Sequence, residues 1–532
     1  MSSKENHEPK KQAFLQGAAI LTVGAILAKI IGALFKIPLA RLITTEGAGH
    51  FTVAYNIYTV LLNVSSTGLP VAASRYISEA NSLGQRRLMQ RIHKVSVLMF
   101  CVLGGLCSCA MLLFSSELAV WMRDPDAKYA IAVLAPAILF VCIGSAFRGY
   151  FQGQQYMTPT AAAQVIEALS KLLIGLAAVV VALKVGMGYP EAAGAAISGV
   201  TIGAVLSSIF FLSQYRSKKI RLSNREAGET IPAWTKIAWK IIKLAIPITI
   251  GAAGLQIFNT LGSKIILGRL QDALGYTSEE ASSLYGIFSM AQTLYMLPYA
   301  LIQPLTVSVI PAVTALLVQK NFSDAQKTEE SAIRILGLVA LPCGVGLSVL
   351  SSPIQRLLYS YDAGTLVIAK PVLGVLGIAS VGYCLIMVTN SILQTNGLIR
   401  VSIYSTLAGG LSNIFVSYWL VGMEEFGILG ASFGTLAYCI VALLVNVLTI
   451  RLKLKPAPRI IPQLTKSGAA AVIMGVVAVV VHRWLSSTVL AIGAAGVVFV
   501  ALVYVLKIIT WYDCQLLPKG ELFARLLRVK KD

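Results

Sequence analysis

The chain has 532 residues; 56% are hydrophobic, only 13% are charged, and its mean hydropathy is +0.76. Soluble proteins carry about 25% charged residues, so this composition excludes a soluble globular domain and indicates an integral membrane protein. The net charge of +21 is an excess of lysine and arginine. In a membrane chain such an excess sets topology or contacts anionic lipid, and it does not indicate nucleic-acid binding.

About fourteen apolar stretches follow one another, each close to the roughly 20 residues that a helix needs to cross the hydrocarbon core. They are too long for barrel strands of about 10 residues. We therefore predict an all-α polytopic membrane protein. The predicted helices 1 to 6 cover 14–40, 48–72, 93–116, 128–151, 160–184 and 191–214; helices 7 to 12 cover 238–264, 282–312, 331–352, 368–393, 399–421 and 426–450; helices 13 and 14 cover 465–485 and 488–511.

The first twelve predicted helices form two similar halves. The matching runs are Lys36-Ile-Pro-Leu-Ala-Arg41 with Lys264-Ile-Ile-Leu-Gly-Arg269, Gly149-Tyr-Phe-Gln152 with Ser391-Ile-Leu-Gln394, and Gly194-Ala-Ala-Ile-Ser-Gly199 with Gly430-Ala-Ser-Phe-Gly-Thr435, at offsets of 228, 242 and 236 residues. Two similar lobes of membrane helices are typical of transporters that hold a site between the lobes. The predicted domains are an N-lobe over 1–225, a C-lobe over 226–455 and a region over 456–532 with helices 13 and 14 and a basic tail.

Basic residues concentrate in alternate connections, within 75–94, 216–240, 451–466 and 519–531. The other connections are neutral or acidic, such as the one that contains Glu424 and Glu425. Short loops rich in Lys and Arg stay in the cytoplasm. Both termini are therefore predicted to be cytoplasmic, which requires an even number of spans.

Charged side chains inside the spans are the first candidates for a functional site, because a charge in hydrocarbon is costly and usually faces a cavity or a partner. Lys29 lies near the middle of helix 1, and Lys36 follows seven residues later on the same face. Lys264 holds the position of Lys36 in the second repeat. We predict that these lysines bind substrate; for Lys36 and Lys264 the alternative is an ammonium that reaches toward the interface.

Three further charges are predicted to serve coupling or gating. Glu167 and Lys171 lie at i, i+4 in helix 5, a spacing that predicts an intrahelical ion pair, and Glu167 is also a candidate ligand for a coupling cation. Arg148, at the predicted cytoplasmic end of helix 4, is a candidate gate residue or an interface anchor. Their counterparts in the second repeat are the uncharged Asn390, Gly409 and Asn413.

Four uncharged polar residues within the spans complete the predicted substrate-binding set: Asn56, Asn63, Gln256 and Gln292. The alternative is that they only join membrane helices to one another. The cysteines and the scattered histidines (His7, His50, His93 and His482) show no metal-ligand spacing, and no phosphate loop or nucleophile motif is present. We predict no catalytic site, no metal and no cofactor.

Several runs resemble one transporter family: Gly32…Lys36-Ile-Pro-Leu-Ala-Arg-Leu-Ile…Glu46-Gly-Ala-Gly49, Gly68-Leu-Pro-Val-Ala-Ala-Ser-Arg75 and Arg148-Gly-Tyr-Phe-Gln-Gly153…Pro159. Over essentially its whole length the chain resembles the polysaccharide-export branch of the multidrug/oligosaccharidyl-lipid/polysaccharide (MOP) exporters. It is similar to the Firmicute stage V sporulation protein B group and to the MurJ-type lipid II flippases. The resemblance implies two six-helix lobes, a V-shaped cavity and alternating access. The implied cargo is a polyprenyl-diphosphate-linked saccharide, a lipid II-like cell-wall or spore-cortex precursor, that crosses the bacterial cytoplasmic membrane.

The resemblance also assigns individual positions. Lys29 matches a basic residue of helix 1 that faces the cavity, whereas Lys36 stands where the MurJ-type proteins tend to have an acidic residue. Leu62 and Thr293 stand where those proteins have cavity arginines. The resemblance implies a lipid-linked saccharide as partner, and the basic runs predict contacts with anionic membrane lipids. Cell-wall synthesis enzymes are partners under the scaffold alternative, and the coupling ion, sodium or proton, stays open.

Two other functions remain open from the sequence. A cation-coupled multidrug exporter of the same superfamily would need carboxylates to bind its cationic cargo, but helix 1 carries lysines. A non-transporting membrane scaffold for cell-envelope enzymes would have no need of the repeat or of Lys29. A lipid-translocation assay would separate these alternatives from the flippase.

Overall fold

The computed structural model describes residues 8–217, 232–510 and 513. These residues form helices and short connections with no strand among them, which confirms the predicted all-α class. Ten of the described helices are long and apolar enough to cross a membrane. The chain is thus a multi-pass membrane protein, while the total of fourteen spans stays a prediction. Much of the basic sequence used for topology, in 218–231 and 514–532, lies outside the described residues.

The chain divides into two compact units, one formed by Met1–Gln271 with Tyr276–Gly286 and the other by Asp272–Gly275 with Ile287–Asp532. The first unit contains α1 (Glu8–Leu42), α2 (Thr44–Ser66), α3 (Gly68–Ser82), α4 (Arg86–Leu113), α5 (Ser115–Trp121), α6 (Lys128–Gly153), α7 (Thr158–Ser170), α8 (Leu176–Lys184), α9 (Tyr189–Ser217), most of α10 (Trp234–Leu274) and the first turns of α11 (Ser278–Tyr295). The second unit contains the rest of α11, α12 (Leu297–Val318), α13 (Phe322–Val349), α14 (Ser351–Tyr359), α15 (Ala363–Thr395), α16 (Ile399–Val421), α17 (Leu429–Lys453), α18 (Ile460–Leu485) and α19 (Thr488–Val505).

Helix α10 opens the second sequence repeat, yet all but its last residues belong to the first compact unit. The boundary between the units falls in the α10–α11 region and not between the repeats. The predicted division into 1–225, 226–455 and 456–532 follows the repeats and stays a prediction.

Prolines interrupt two of the predicted spans. The predicted helix 2 ends as α2 at Ser66 and restarts as α3 at Gly68, and the predicted helix 8 breaks between α11 and α12. Each second segment has a proline in its first turn, Pro70 or Pro298. Proline has no N–H to donate to the carbonyl four residues earlier, so the helical hydrogen bonds stop there.

Helix α6 is central in the first unit, where it packs against α3, α4 and α9. A Cβ placed on Gly149 would lie 2.9 Å from the carbonyl oxygen of Pro70, and one on Gly153 would lie 2.7 Å from that of Ser74. These separations are too short for a side chain, so α6 and α3 can pack this closely only because both positions are glycine. The Arg-Gly-Tyr-Phe-Gln-Gly run is therefore a packing motif between two helices.

Helix α13 is central in the second unit, where it packs against α12, α15 and α18. Arg334 Nη1 donates to both carboxylate oxygens of Asp513, at 2.9 and 2.8 Å, and Arg334 Nε donates to Gln463 Oε1 at 2.9 Å. Hydrogen bonds between ionised groups are shorter and stronger than those between neutral groups. Through Gln463 and Asp513, Arg334 of α13 thus binds both α18 and the chain after α19.

Candidate substrate-binding and gating residues

Helix α1 presents three different faces. One face is a stripe of exposed apolar side chains at intervals of three and four residues: Ile20, Val23, Leu27, Ile30 and Leu34. A second face packs inside the unit, where Phe35 is fully buried and a Cβ on Gly24 would lie 2.7 Å from α7. Lys29 comes nine residues after Ile20, about two and a half turns, so it projects from the side opposite the apolar stripe, where it is exposed. Lys36, about two turns further along, is half-buried on the same side.

Lys171 is surrounded by aromatic rings. Its Nζ lies 5.0 Å from the ring centre of Phe35, 5.5 Å from that of Phe51 and 4.7 Å from that of Tyr55. Such cation–π contacts stabilise a desolvated ammonium by about 0.5–2 kcal/mol. Lys36 is close enough for the two ammonium groups to repel each other. Lysines from α1 and from the segment after α7 therefore converge in the first unit.

The ion pair that the spacing predicts between Glu167 and Lys171 is not formed; that prediction is wrong for the described residues. Glu167 Oε1 instead accepts a 2.8 Å hydrogen bond from Ser207 Oγ on α9. The helix changes to a π-helical turn at Lys171–Gly175. The i, i+4 rule assumes an uninterrupted α-helix, and the interruption begins at Lys171 itself.

Arg148 lies on α6, with its Nε buried and without a hydrogen-bond partner among the described residues. Its guanidinium is close enough to the buried Tyr58 to act on that side chain electrostatically, and so is the Glu167 carboxylate. Opposite charges from α6 and α7 therefore both act on one tyrosine of α2. This arrangement allows a shift of α2 to change the environment of both charges together.

Asn56 joins three helices of the first unit. Its Nδ2 donates to Ser263 Oγ at 2.9 Å and to Tyr285 OH at 3.0 Å, and those two hydroxyls lie 2.6 Å apart. Asn63 Nδ2 donates at 2.8 Å to a carbonyl of its own helix, and its Oδ1 accepts from Thr67 Oγ1 at 2.9 Å. Both amides thus have internal partners, as expected of polar groups that join or cap membrane helices.

The remaining candidates lie on α10 and α11. Lys264 is half-buried, with its Nζ 4.1 Å from the ring centre of Trp121 on α5. Gln256 is half-buried on α10, and Gln292 is half-buried on the part of α11 that belongs to the second unit. The other candidates belong to the first unit, where Lys36 approaches Lys171, and Arg148 and Glu167 both act on Tyr58.

Sequence analysis missed a buried histidine–carboxylate pair, His50 and Asp124. His50 Nδ1 lies 2.8 and 2.9 Å from the two carboxylate oxygens of Asp124, and both side chains are fully buried. The residues are 74 positions apart, and no motif spacing connects them. The available signal was that each lies near the start of a predicted span on the same predicted side of the membrane.

A multi-pass helical bundle with basic side chains inside its spans is typical of membrane transporters, and comparisons with known proteins identify the family. The family model described as "Polysaccharide biosynthesis protein" matches residues 14–317, more than half of the chain. A second model, MatE, matches residues 282–419. The chain belongs to the polysaccharide biosynthesis protein family. The relative and the two solved structures described next are named as a sporulation protein, a flippase and a transporter, and none of the three is named as an enzyme.

Relatives and solved structures support the same assignment. The chain is 25% identical over 478 residues to the stage V sporulation protein B of Bacillus subtilis, with 90% of each chain covered. Its fold is similar to that of the lipid II flippase MurJ in an inward closed conformation, with a TM-score of 0.68, 16% identity, and 92% of this chain and 98% of that chain covered. It is also similar to an inward-facing multidrug resistance MATE family transporter of the MOP superfamily, with a TM-score of 0.65, 16% identity, and 80% and 98% covered.

Proposed function

We propose that the protein is an alternating-access flippase that moves a polyprenyl-diphosphate-linked saccharide, such as a lipid II-like precursor of the cell wall or spore cortex, across the cytoplasmic membrane. The observation that carries the proposal is the lysine face of α1. Lys29 and Lys36 project away from the apolar stripe, and Lys36 approaches Lys171. A concentration of ammonium groups within a membrane helix bundle suits an anionic cargo.

The chemistry of the cargo explains why such a face is needed. A diphosphate carries about two negative charges, and an ionised group cannot enter hydrocarbon unless its hydration is replaced. Lysine ammonium groups replace that hydration with charge-assisted hydrogen bonds. The prenyl chain needs no such help, because it can stay in the lipid while the headgroup crosses.

Each candidate residue then has a proposed role. Lys29, Lys36 and Lys264 bind the diphosphate. Polar amides bind the saccharide, with Gln256 and Gln292 the better candidates, because internal partners already occupy the amide groups of the two asparagines. Coupling and gating are assigned to Glu167, Lys171 and Arg148.

The main rival is a cation-coupled multidrug exporter, which the likeness to the MATE fold favours. Cationic drugs would require carboxylates, and the face of α1 that could meet a cargo carries lysines. A non-transporting scaffold for cell-envelope enzymes is the other alternative.

Anionic membrane lipids are proposed as further partners, and both termini are proposed to be cytoplasmic.

A translocation assay in proteoliposomes tests the proposal. A fluorescent polyprenyl-diphosphate saccharide is followed from one leaflet to the other, with a cationic dye offered in parallel. Translocation of the anionic lipid by the native protein and its loss in Lys29→Ala support the flippase. Export of the dye alone supports the drug exporter, and movement of neither compound supports the scaffold.

A further inference from the structure

The His50 imidazole has one nitrogen that is fully used and one that is not. Both carboxylate oxygens of Asp124 lie within 2.9 Å of Nδ1, so Nδ1 carries a hydrogen and donates it. Nε2 is buried and has no hydrogen-bond partner among the described residues. Glu46 Oε1 lies 3.7 Å from Nε2, beyond hydrogen-bond length but close enough for an ion pair.

Burial of the ring opposes a second proton, whereas the charged groups around the ring favour it. The titratable groups that act on His50 are Glu46 from its own helix, and Asp124 and Asp126 from the segment around the 3₁₀ turn Pro125–Ala127. All three are acidic. A buried polar atom without a partner costs about 1–3 kcal/mol. A proton on Nε2 would remove that cost and let the ring donate to two carboxylates at once.

The Asp124 side of this pair is connected to α10 and α11. The preceding residue, Arg123, has a left-handed backbone with φ +64°. Its carbonyl oxygen accepts hydrogen bonds from Gln271 Nε2 at 2.6 Å and from Ser278 Oγ at 3.5 Å. The position of Asp124 is therefore coupled to the end of α10 and the start of α11.

The segment that carries Glu46, at the start of α2, also contacts α11. The preceding residue, Thr45, has its Oγ1 2.6 Å from Ser283 Oγ on α11. A Cβ on Gly286 would overlap the Thr45 carbonyl oxygen, so α11 packs directly on the start of α2. The start of α2 and the Arg123 segment thus both contact the first turns of α11, and His50 has a carboxylate neighbour from each of them, Glu46 and Asp124.

We propose that His50 Nε2 is a proton-binding site, and that its occupancy tightens the contacts of α2 and of the Arg123 segment with α10 and α11. The imidazolium draws Glu46 toward the ring while Asp124 stays bound to Nδ1. The ligand is a proton from the side of the membrane where α10 ends and where α2 and α11 begin. The charge pattern predicts that this is the outer side. The site senses pH on that side and holds this end of the first unit closed.

Hydrogen exchange tests the proposal without any cargo, so its outcome does not depend on the proposed flippase activity. Amide exchange of residues 276–286 is measured on the full chain in lipid nanodiscs from about pH 5.5 to 8, the range in which histidine titrates. Rates are corrected for the intrinsic pH dependence of exchange. We expect exchange of this segment to be several-fold slower at the acid end in the native protein, and the difference to vanish in His50→Gln. His482→Gln, which changes a histidine of α18, should respond as the native protein does.

Glu46→Gln provides a second measurement that keeps the His50–Asp124 pair. It removes the negative charge that faces Nε2, so the response should weaken and move to lower pH. A native protein without a pH response, or a His50→Gln protein that responds like the native one, overturns the proposal. Should His50→Gln fail to fold, an unchanged response in Glu46→Gln has the same effect.

Discussion

Three equivalent positions of the two sequence repeats differ in charge: the residues are charged in the first repeat and uncharged in the second. In the first unit Arg148, Glu167 and Lys171 are charged, and Lys171 lies among rings of α1 and α2. In the second unit their counterparts are the neutral Asn390, Gly409 and Asn413. Asn390 Oδ1 accepts from Asn446 Nδ2 at 2.9 Å, and Asn413 Oδ1 accepts from Ser417 Oγ at 3.1 Å. One repeat has three charges where the other has a glycine and two asparagines with internal partners.

The position equivalent to Glu167 is closed in the second unit. A Cβ on Gly409 would lie 2.9 Å from a ring carbon of Tyr438. That ring belongs to a tyrosine cluster in which Tyr383 contacts Tyr295, Tyr299 and Tyr438. The helical frame therefore forms without charges, and charges within a membrane are costly. Their presence in the first unit is best explained by function, and paired substitutions at equivalent positions can test this.

The largest effect is expected at Lys29. Its counterpart in the second repeat is Ile257, which is 43% exposed. Lys29→Ala should abolish lipid translocation, because the other ammonium on this face, that of Lys36, lies about two turns further along the helix. Ile257→Ala should leave translocation within about twofold of native, which is roughly 0.4 kcal/mol. Both proteins should reach the membrane in equal amounts, as measured by quantitative blotting.

Lys29→Arg keeps the charge and should retain part of the activity. A Lys29→Ala protein that transports at the native rate would remove this residue from the mechanism. It would also remove the first difference between the repeats.

Lys171 should have the next largest effect. Lys171→Met keeps an apolar stem among the three rings but deletes the charge. Translocation should fall about tenfold or more, which is roughly 1.4 kcal/mol, because the proposed coupling and gating role needs the charge. Thermal stability in detergent should change little, because methionine packs well against aromatic rings. The matched Asn413→Leu change in the second unit should instead lower stability and spare transport; equal transport losses in the two variants would contradict the asymmetry.

Regular features were predictable from the sequence, and interruptions were not. The lysine face of α1 follows from the helical period, because Lys29 and Lys36 are about two turns apart. The Glu167–Lys171 pair failed because a π-helical turn begins at Lys171, and no propensity rule locates such a turn. The breaks at Pro70 and Pro298 were foreseeable in kind, since proline lacks an N–H, but the sequence predicts single continuous spans there, 48–72 and 282–312.

Contacts between distant segments needed the fold. His50 and Asp124 are 74 residues apart, and a histidine without ligand spacing gave no reason to pair it. The rings around Lys171 come from two other helices, so the sequence could not distinguish a cation–π site from an ion pair. The charges themselves were identifiable because any charge in an apolar span stands out.

Arg148 should show a smaller effect. Arg148→Asn installs the residue that the second repeat uses. If the guanidinium serves a gate near Tyr58, the maximal translocation rate should fall a few-fold while the apparent affinity for the cargo stays the same. Asn390→Ala should cost about 1 kcal/mol of stability through its lost hydrogen bond with Asn446 and leave the rate unchanged. A change in cargo affinity without a change in rate would place Arg148 in the binding site.

The smallest effect on rate, and the most specific effect on coupling, is expected for Glu167→Gln. The glutamine amide oxygen can still accept the hydrogen bond from Ser207, so folding and most of the rate should persist, with a loss of about threefold or less. Because Lys171 is held by rings, Glu167 is not needed to neutralise it and is available to bind a cation. Translocation by the variant should therefore no longer respond to an imposed sodium or proton gradient.

The gradient is set by changing only the internal solution, so that the external pH, and with it the protonation of His50, stays constant. If the gradient response persists in Glu167→Gln, the carboxylate only supports α9 through Ser207, and coupling must be sought among other groups.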